Sequence, residues 1–254
     1  MIGLEGRSGS FWRNLKQLRN APFSWGWAGL ILGIHGIIIA LGGPHQQPAG
    51  AWFVALGLTR QGIWAGEIWR IFSYSLLHAN GWHAVSNALF VLLVGSRVEH
   101  IAGRSVMMKA MIYGILGGGV GHLFLAPSGS AAPLLVGLSG GCVALLLLQT
   151  TLSPQSRMMP IPISGRSLGF GILAVELALA LMDPALGVPV FSVMGRSLVE
   201  HGLGSCFKIG HACHFGGGVV GWLIGRWLLR SRVTLKNLRA VRKRREASGS
   251  GAAG

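Results

Sequence analysis

The chain is poor in acid. Its 254 residues hold 7 Asp and Glu against 22 Lys and Arg, and only 11% are charged at all. Soluble domains run near about 25% charged, so an ordinary soluble globular domain is excluded. Three cysteines, Cys142, Cys206 and Cys213, cannot build a disulfide framework. Two of them fall inside apolar runs, where a cysteine acts as a small apolar packer. No His-Glu-x-x-His stands anywhere in the sequence, which removes the usual zinc-protease signature. No inverted repeat of the transporter kind is visible either. What is abundant is apolar: 51% hydrophobic residues and 41 glycines, with a mean hydropathy of +0.54. That composition also excludes disorder for most of the chain.

A helix needs roughly 20 mostly apolar residues to cross a bilayer. Six runs approach this: Trp25–Gly43, His83–Ala102, Val106–Ala126, Gly137–Leu152, Leu168–Met182 and His211–Leu229. The basic residues give an orientation, because cytoplasmic loops collect Lys and Arg. Most of them sit in the N-terminal arm (Arg7, Arg13, Lys16, Arg19), in the links after the second and fourth runs, and in a tail from Arg226 to Arg245. Arg60, Arg70, Arg196 and Lys208 are left for the other side. The expectation is an all-α, multi-pass membrane protein with six transmembrane helices and both termini cytoplasmic. A basic arm would cover residues 1–24, a membrane domain 25–230, and a basic, then Gly/Ser-rich, tail 231–254. The lipid bilayer is the partner this charge pattern serves, and no nucleic acid is expected. The first run has a long apolar stretch and no small-x-small cleavage site behind it, so it reads as a retained helix rather than a signal peptide. The fourth run is short and follows the turn-rich stretch 126–133, so it can begin below the membrane surface and face a water-filled cavity.

Polar residues inside membrane spans are expensive and usually functional. His83 and Asn87 lie four apart, on one face of the second run. Ser139 opens the fourth within Gly137-Leu-Ser-Gly140, and His214 lies near the start of the sixth, within His-x-x-Gly217-x-x-x-Gly221. Alone, each has a bland reading as a cap, a back-bonded serine or a packing histidine. Together they are expected at one depth, near the extracytoplasmic face. The seam Gly217, Gly221, Gly225 lets the sixth helix approach a neighbour closely. Ser139 and His214 then make a nucleophile and its base. The amides at the start of the fourth helix favour a developing oxyanion, and His83 and Asn87 can add donors. No carboxylate is supplied behind His214 by these patterns, so a Ser–His dyad is the economical reading. Glu176, in the fifth run, and Asp183, at its end, are the acids to consider as a third member, and Glu176 as a structural bond across to another helix.

These residues resemble the rhomboid family of intramembrane serine proteases. The matching motifs are Trp69-Arg70, His78 followed by His83-x-x-x-Asn87, Gly95-x-x-x-Glu99, Gly137-x-Ser139-Gly140 and His214-x-x-Gly217-x-x-x-Gly221. They occur in the family's order between about residues 64 and 225. The resemblance implies a six-helix bundle with Ser139 as nucleophile, His214 as general base and acid, and His83, Asn87 and the Ser139 amide as oxyanion hole. It implies Arg70 and Glu99 as structural polar residues, no cofactor, no metal, and transmembrane segments of other proteins as substrates. The loop with Trp52, Trp64, Trp69 and Trp82 resembles the family's first loop, which lies partly in the bilayer. The expected setting is a bacterial inner membrane. One departure is Val143, where many members carry a tyrosine that stacks on the catalytic histidine. The alternative is a rhomboid-like protein without activity that binds or escorts membrane helices.

Overall fold

The computed structural model describes residues 18–129, 133–158 and 162–230. The basic tail expected at 231–254, and all but residues 18–24 of the expected arm, lie outside the described residues.

All six apolar runs are helical. Helix α1 is Pro22–Ala40. Three short helices follow in the first loop: α2 Ala49–Leu56, α3 Arg60–Trp64 and α4 Arg70–Ser73. Helix α5, Gly81–Phe90, continues through a π turn, Val91–Gly95, into α6, Ser96–Ala102. Then come α7 Arg104–Leu125, α8 Ser139–Leu152, α9 Gly165–Met182, α10 Phe191–Leu198 and α11 His211–Leu228. Four stretches are long and apolar enough to cross a membrane: α1, α5–α6 as one, α7 and α9. Helix α8 has 14 residues and α11 has 18. The link between α8 and α9 departs from an all-helical reading. Strand β1, Arg157–Met158, pairs antiparallel with β2, Ile163–Ser164.

Local chemistry explains the helix starts. Helix α1 has Pro22 in its first turn but no acid and no cap of its own. Glu99 of α6 supplies one: its carboxylate accepts from the Phe23 and Ser24 amides and from Ser24 Oγ. A negative charge at a helix N-terminus also meets the positive end of the helix dipole. Asn80 caps α5 by accepting from the His83 amide at 2.9 Å, and this sets the face on which His83 and Asn87 stand.

Helices α7, α8 and α11 form the centre. Met107, Met111, Ile115, Leu145, Leu148 and Cys213 are all fully buried there. Their contacts run backbone to backbone. A Cβ built on Gly121 of α7 would strike the backbone of α11, one on Gly117 would strike the Val220 side chain and come 3.1 Å from the Gly216 carbonyl oxygen, and one on Gly114 would strike Ala144 and Gly141 of α8. Small-residue faces of this kind are how membrane helices pack without a hydrophobic driving force. Helix α9 is the peripheral member, with 17% of its apolar window buried. Large apolar side chains such as Ile39, Leu93, Phe124 and Trp227 point outward. That surface belongs in lipid, and the protein is an integral membrane protein.

Candidate active site

The site begins at the α8–α11 contact. A Cβ on Gly217 would lie 2.7 Å from the Gly140 carbonyl carbon and 3.0 Å from its Cα, with the carbonyl oxygen nearer still. Gly221 meets Ala144 in the same way one turn further on. Ser139 and His214 stand immediately beyond this contact, at the first turns of the two helices. Both line one cavity of about 580 Å³, and His83, Asn87 and His211 line it with them. The residues expected at one depth therefore share one space.

The loop before α8 is shaped around His83. Gly137 has φ +114°, and a Cβ there would fall 2.5 Å from His83 Cε1 and 2.7 Å from its Nε2. Only glycine fits both the conformation and the ring. No side chain caps α8, whose N-cap position is Leu138. Its first amides thus face the Ser139 end of the cavity with the positive end of the helix dipole.

Asn87 is held from behind. Its Nδ2 lies 3.0 Å from His78 Nε2, and the Leu138 amide approaches the same nitrogen at 3.5 Å. Two donors on one ring nitrogen make Nε2 the acceptor, so the proton sits on Nδ1. His78 has no exposed surface. Burial, with His83 and His35 close by, pushes it down to about 3, so it stays neutral. An Asn amide carries two N–H bonds; His78 takes one and leaves one for the cavity. His78 is thus a support for Asn87, a part that the His-x-x-x-Asn spacing does not reveal.

Arg70 and Glu99 do not line the cavity, and each bonds elsewhere. Arg70 donates to the Gly57 carbonyl and to Glu67, each at 2.6 Å. Glu99 makes the α1 cap already described. The tryptophans of the first loop, Trp52, Trp64, Trp69 and Trp82, are all exposed.

The expectation that no carboxylate stands behind His214 is corrected here. Glu176 of α9 places Oε1 3.1 Å from His214 Nδ1 and Oε2 2.6 Å from His211 Nδ1. The reason is rotational: α9 turns its single acid inward, onto the face of α11 where residues three apart stand together. Asp183, the other acid considered, lines the cavity and caps the Pro184–Leu186 turn by accepting from the Ala185 amide. Val143 faces Gly218, one turn beyond His214.

Glu176, His211 and His214 also form a group whose donor atoms lie within 4.8 Å of one another, the kind of cluster that can hold a metal. Zinc bonds of about 2.0–2.1 Å in a tetrahedral site keep neighbouring donors more than 3 Å apart. The 2.6 Å contact between His211 and Glu176 is the length of a charge-assisted hydrogen bond. A shared proton fits the present spacing.

The Rhomboid domain family matches residues 65–231. Rhomboid-related protein 3 of Homo sapiens is 27% identical over 165 residues, which is 65% of this chain and 37% of that protein. Rhomboid-related protein 2 of Mus musculus is 28% identical over 161 residues, 63% of this chain and 47% of its own length. The chain spans less than half the length of either relative. The matched region holds all five motifs and every described residue that lines the cavity.

Proposed function

The chain belongs to the rhomboid family, and on that premise we propose that it is an intramembrane serine endopeptidase acting on transmembrane segments of other proteins. The observation that carries this is the shared cavity: Ser139 and His214 line it together, at the ends of two helices locked by Gly140 and Gly217. Ser139 Oγ attacks the scissile carbonyl. His214 Nε2 takes the hydroxyl proton and returns it to the leaving amine. The Ser139 amide, the free N–H of Asn87 and the His83 ring surround the developing oxyanion. Losing one such donor typically costs ~10²–10³ in rate.

The wider reading is a bundle with six crossings, both termini cytoplasmic and the cavity open to the outer side, set in a bacterial inner membrane. Helices α8 and α11 supply the two crossings beyond the four long stretches, and the basic links and tail favour this orientation. A substrate helix must unwind locally for its backbone to reach Ser139, so Gly or Pro near the cut should help.

The test is labelling of the purified full chain with a fluorophosphonate, beside cleavage of a single-pass reporter in liposomes. Wild type should label and cleave, while Ser139→Ala and His214→Ala should do neither. Equal labelling of Ser139→Ala, or a wild type that neither labels nor cleaves, overturns the proposal. The second outcome is the one expected of an inactive relative that only holds membrane helices.

A further inference from the structure

His211 carries information that the serine–histidine pair alone does not. Its Nδ1 faces the Glu176 carboxylate at 2.6 Å and its Nε2 faces the Cys206 carbonyl at 2.9 Å. Both partners accept, so both ring nitrogens must donate, and a histidine with two N–H bonds is a cation. The proton in the short contact belongs to the imidazole, which is ordinarily the stronger base by about two pH units. Glu176 is then an anion balanced by His211. Its other oxygen accepts from His214 Nδ1 at 3.1 Å. That bond fixes the tautomer of His214, with the proton on Nδ1 and the lone pair on Nε2. Nothing else described grips the His214 ring by hydrogen bonding: the residue at the neighbouring turn of α8 is the aliphatic Val143, which packs on Gly218.

We infer that Glu176 and His211 are positioning residues of the active site, forming a Cys206 carbonyl–His211–Glu176–His214 relay that presents Nε2 of His214 to Ser139. The inference rests on the protease reading above. In the resting state the Glu176–His211 pair is neutral overall and His214 is uncharged. As the Ser139 oxygen bonds to the carbonyl carbon, its proton passes to His214 Nε2, and the Glu176 carboxylate stabilises the imidazolium so formed. The proton then leaves with the amine, and the pair is restored.

The two members act on His214 with opposite charge, and this separates a relay from a mere clamp on helix α9. Other titratable or charged groups around the cavity are His83 of α5, His122 of α7, Asp183 after α9 and Lys208 before α11. They are unchanged in every variant below. Removing the anion with Glu176→Gln disfavours the imidazolium, so the acidic limb of the rate profile should move to lower pH. Removing the cation with His211→Asn favours it, so the limb should move to higher pH. A clamp predicts lost protein or lost rate with no opposed movement.

The experiment is the pH dependence of fluorophosphonate labelling of the full chain, for wild type, Glu176→Gln, Glu176→Asp and His211→Asn. Glu176→Gln should label about 10- to 100-fold more slowly at neutral pH, the worth of one charge-assisted hydrogen bond. Glu176→Asp should recover part of the rate and the wild-type limb. Each limb should move by about one pH unit. Limbs that move together, or not at all, overturn the inference while Ser139-dependent labelling of wild type keeps the protease reading. If wild type does not label, or the variants do not fold, histidine ¹⁵N spectra of the wild-type and Ser139→Ala proteins decide. Two N–H protons on His211 and one on Nδ1 of His214 support the relay. A singly protonated His211, or a His214 protonated on Nε2, overturns it.

Discussion

Gly217→Ala is the sharpest test of how the fold makes the site. The added methyl would sit 2.7 Å from the carbonyl carbon of Gly140 and 3.0 Å from its Cα. Ordinary carbon contacts lie at about 3.5–4.0 Å, so helices α8 and α11 must part by about 1 Å. Backbone cannot swing aside as a side chain can, and Ala144 meets Gly221 one turn away, so the two helices separate together. Overpacking of this kind costs about 1–3 kcal/mol. The larger effect is on geometry. Ser139 precedes Gly140 directly, and His214 lies one turn from Gly217, so the separation falls between nucleophile and base. A misplacement of about 1 Å can lower a rate by about 10²-fold. The assay is fluorophosphonate labelling rate beside a thermal melt in detergent. Gly33→Ala in α1 is the control, since a Cβ there meets nothing within 4 Å. Gly217→Ala should melt lower and label about 100-fold more slowly, while the control should do neither. A Gly217→Ala protein that labels like wild type would refute the claim that this contact sets the distance between Ser139 and His214.

Glu99→Gln should destabilise the start of α1, because one carboxylate now serves three donors there. The loss should be about 1–3 kcal/mol, seen as a lower melting temperature with little change in labelling rate per folded molecule. His78 gives a pH dependence. It stays neutral in the fold down to about 3, whereas an unfolded histidine binds a proton below about 6.5. Between those values the unfolded chain holds more protons, so stability should fall as pH drops from about 6.5 towards 3. Melting temperatures across that window should fall less steeply for His78→Gln than for wild type; parallel curves would exclude His78 as the source.

The sequence carried the helices well because hydrophobic runs in a lipid setting have few alternatives. Each of the six runs became a helix with ends within three residues of the expectation. The short helices α2, α3, α4 and α10 were not legible: four to eight residues rarely show a period, and Thr59, which caps α3 through Gly62 at 3.1 Å, looks like any loop threonine. The glycines of α7 were equally silent. Gly114, Gly117, Gly118 and Gly121 read as part of a generally glycine-rich chain, and only the packing shows that each meets a neighbour. The motif residues fared better. Ser139, His214, His83 and Asn87 share a cavity because their position within a run fixes depth, and depth is what the pattern encodes.

Rotation is what the pattern does not encode, and Glu176 shows the consequence. Depth along α9 follows from counting residues at about 1.5 Å each, but the direction Glu176 faces depends on how α9 packs, and α9 is the least embedded helix of the bundle. Its own run is apolar on every side, so no stripe marks an inner face. The clue lay in cost. An unpaired carboxylate within an apolar run is severely unfavourable, so Glu176 required partners at its own depth. Counting back from the end of α9 at Met182 puts Glu176 within about two turns of the α9–α10 link. Helix α11 begins at the same end of the bundle, with His211 and His214 three apart on one face. Those two imidazoles give the carboxylate its two hydrogen bonds. A rule that every ionisable group in a span must be assigned a partner, before any is declared structural, reaches Glu176 from the sequence, where motif spacing alone stops at a dyad.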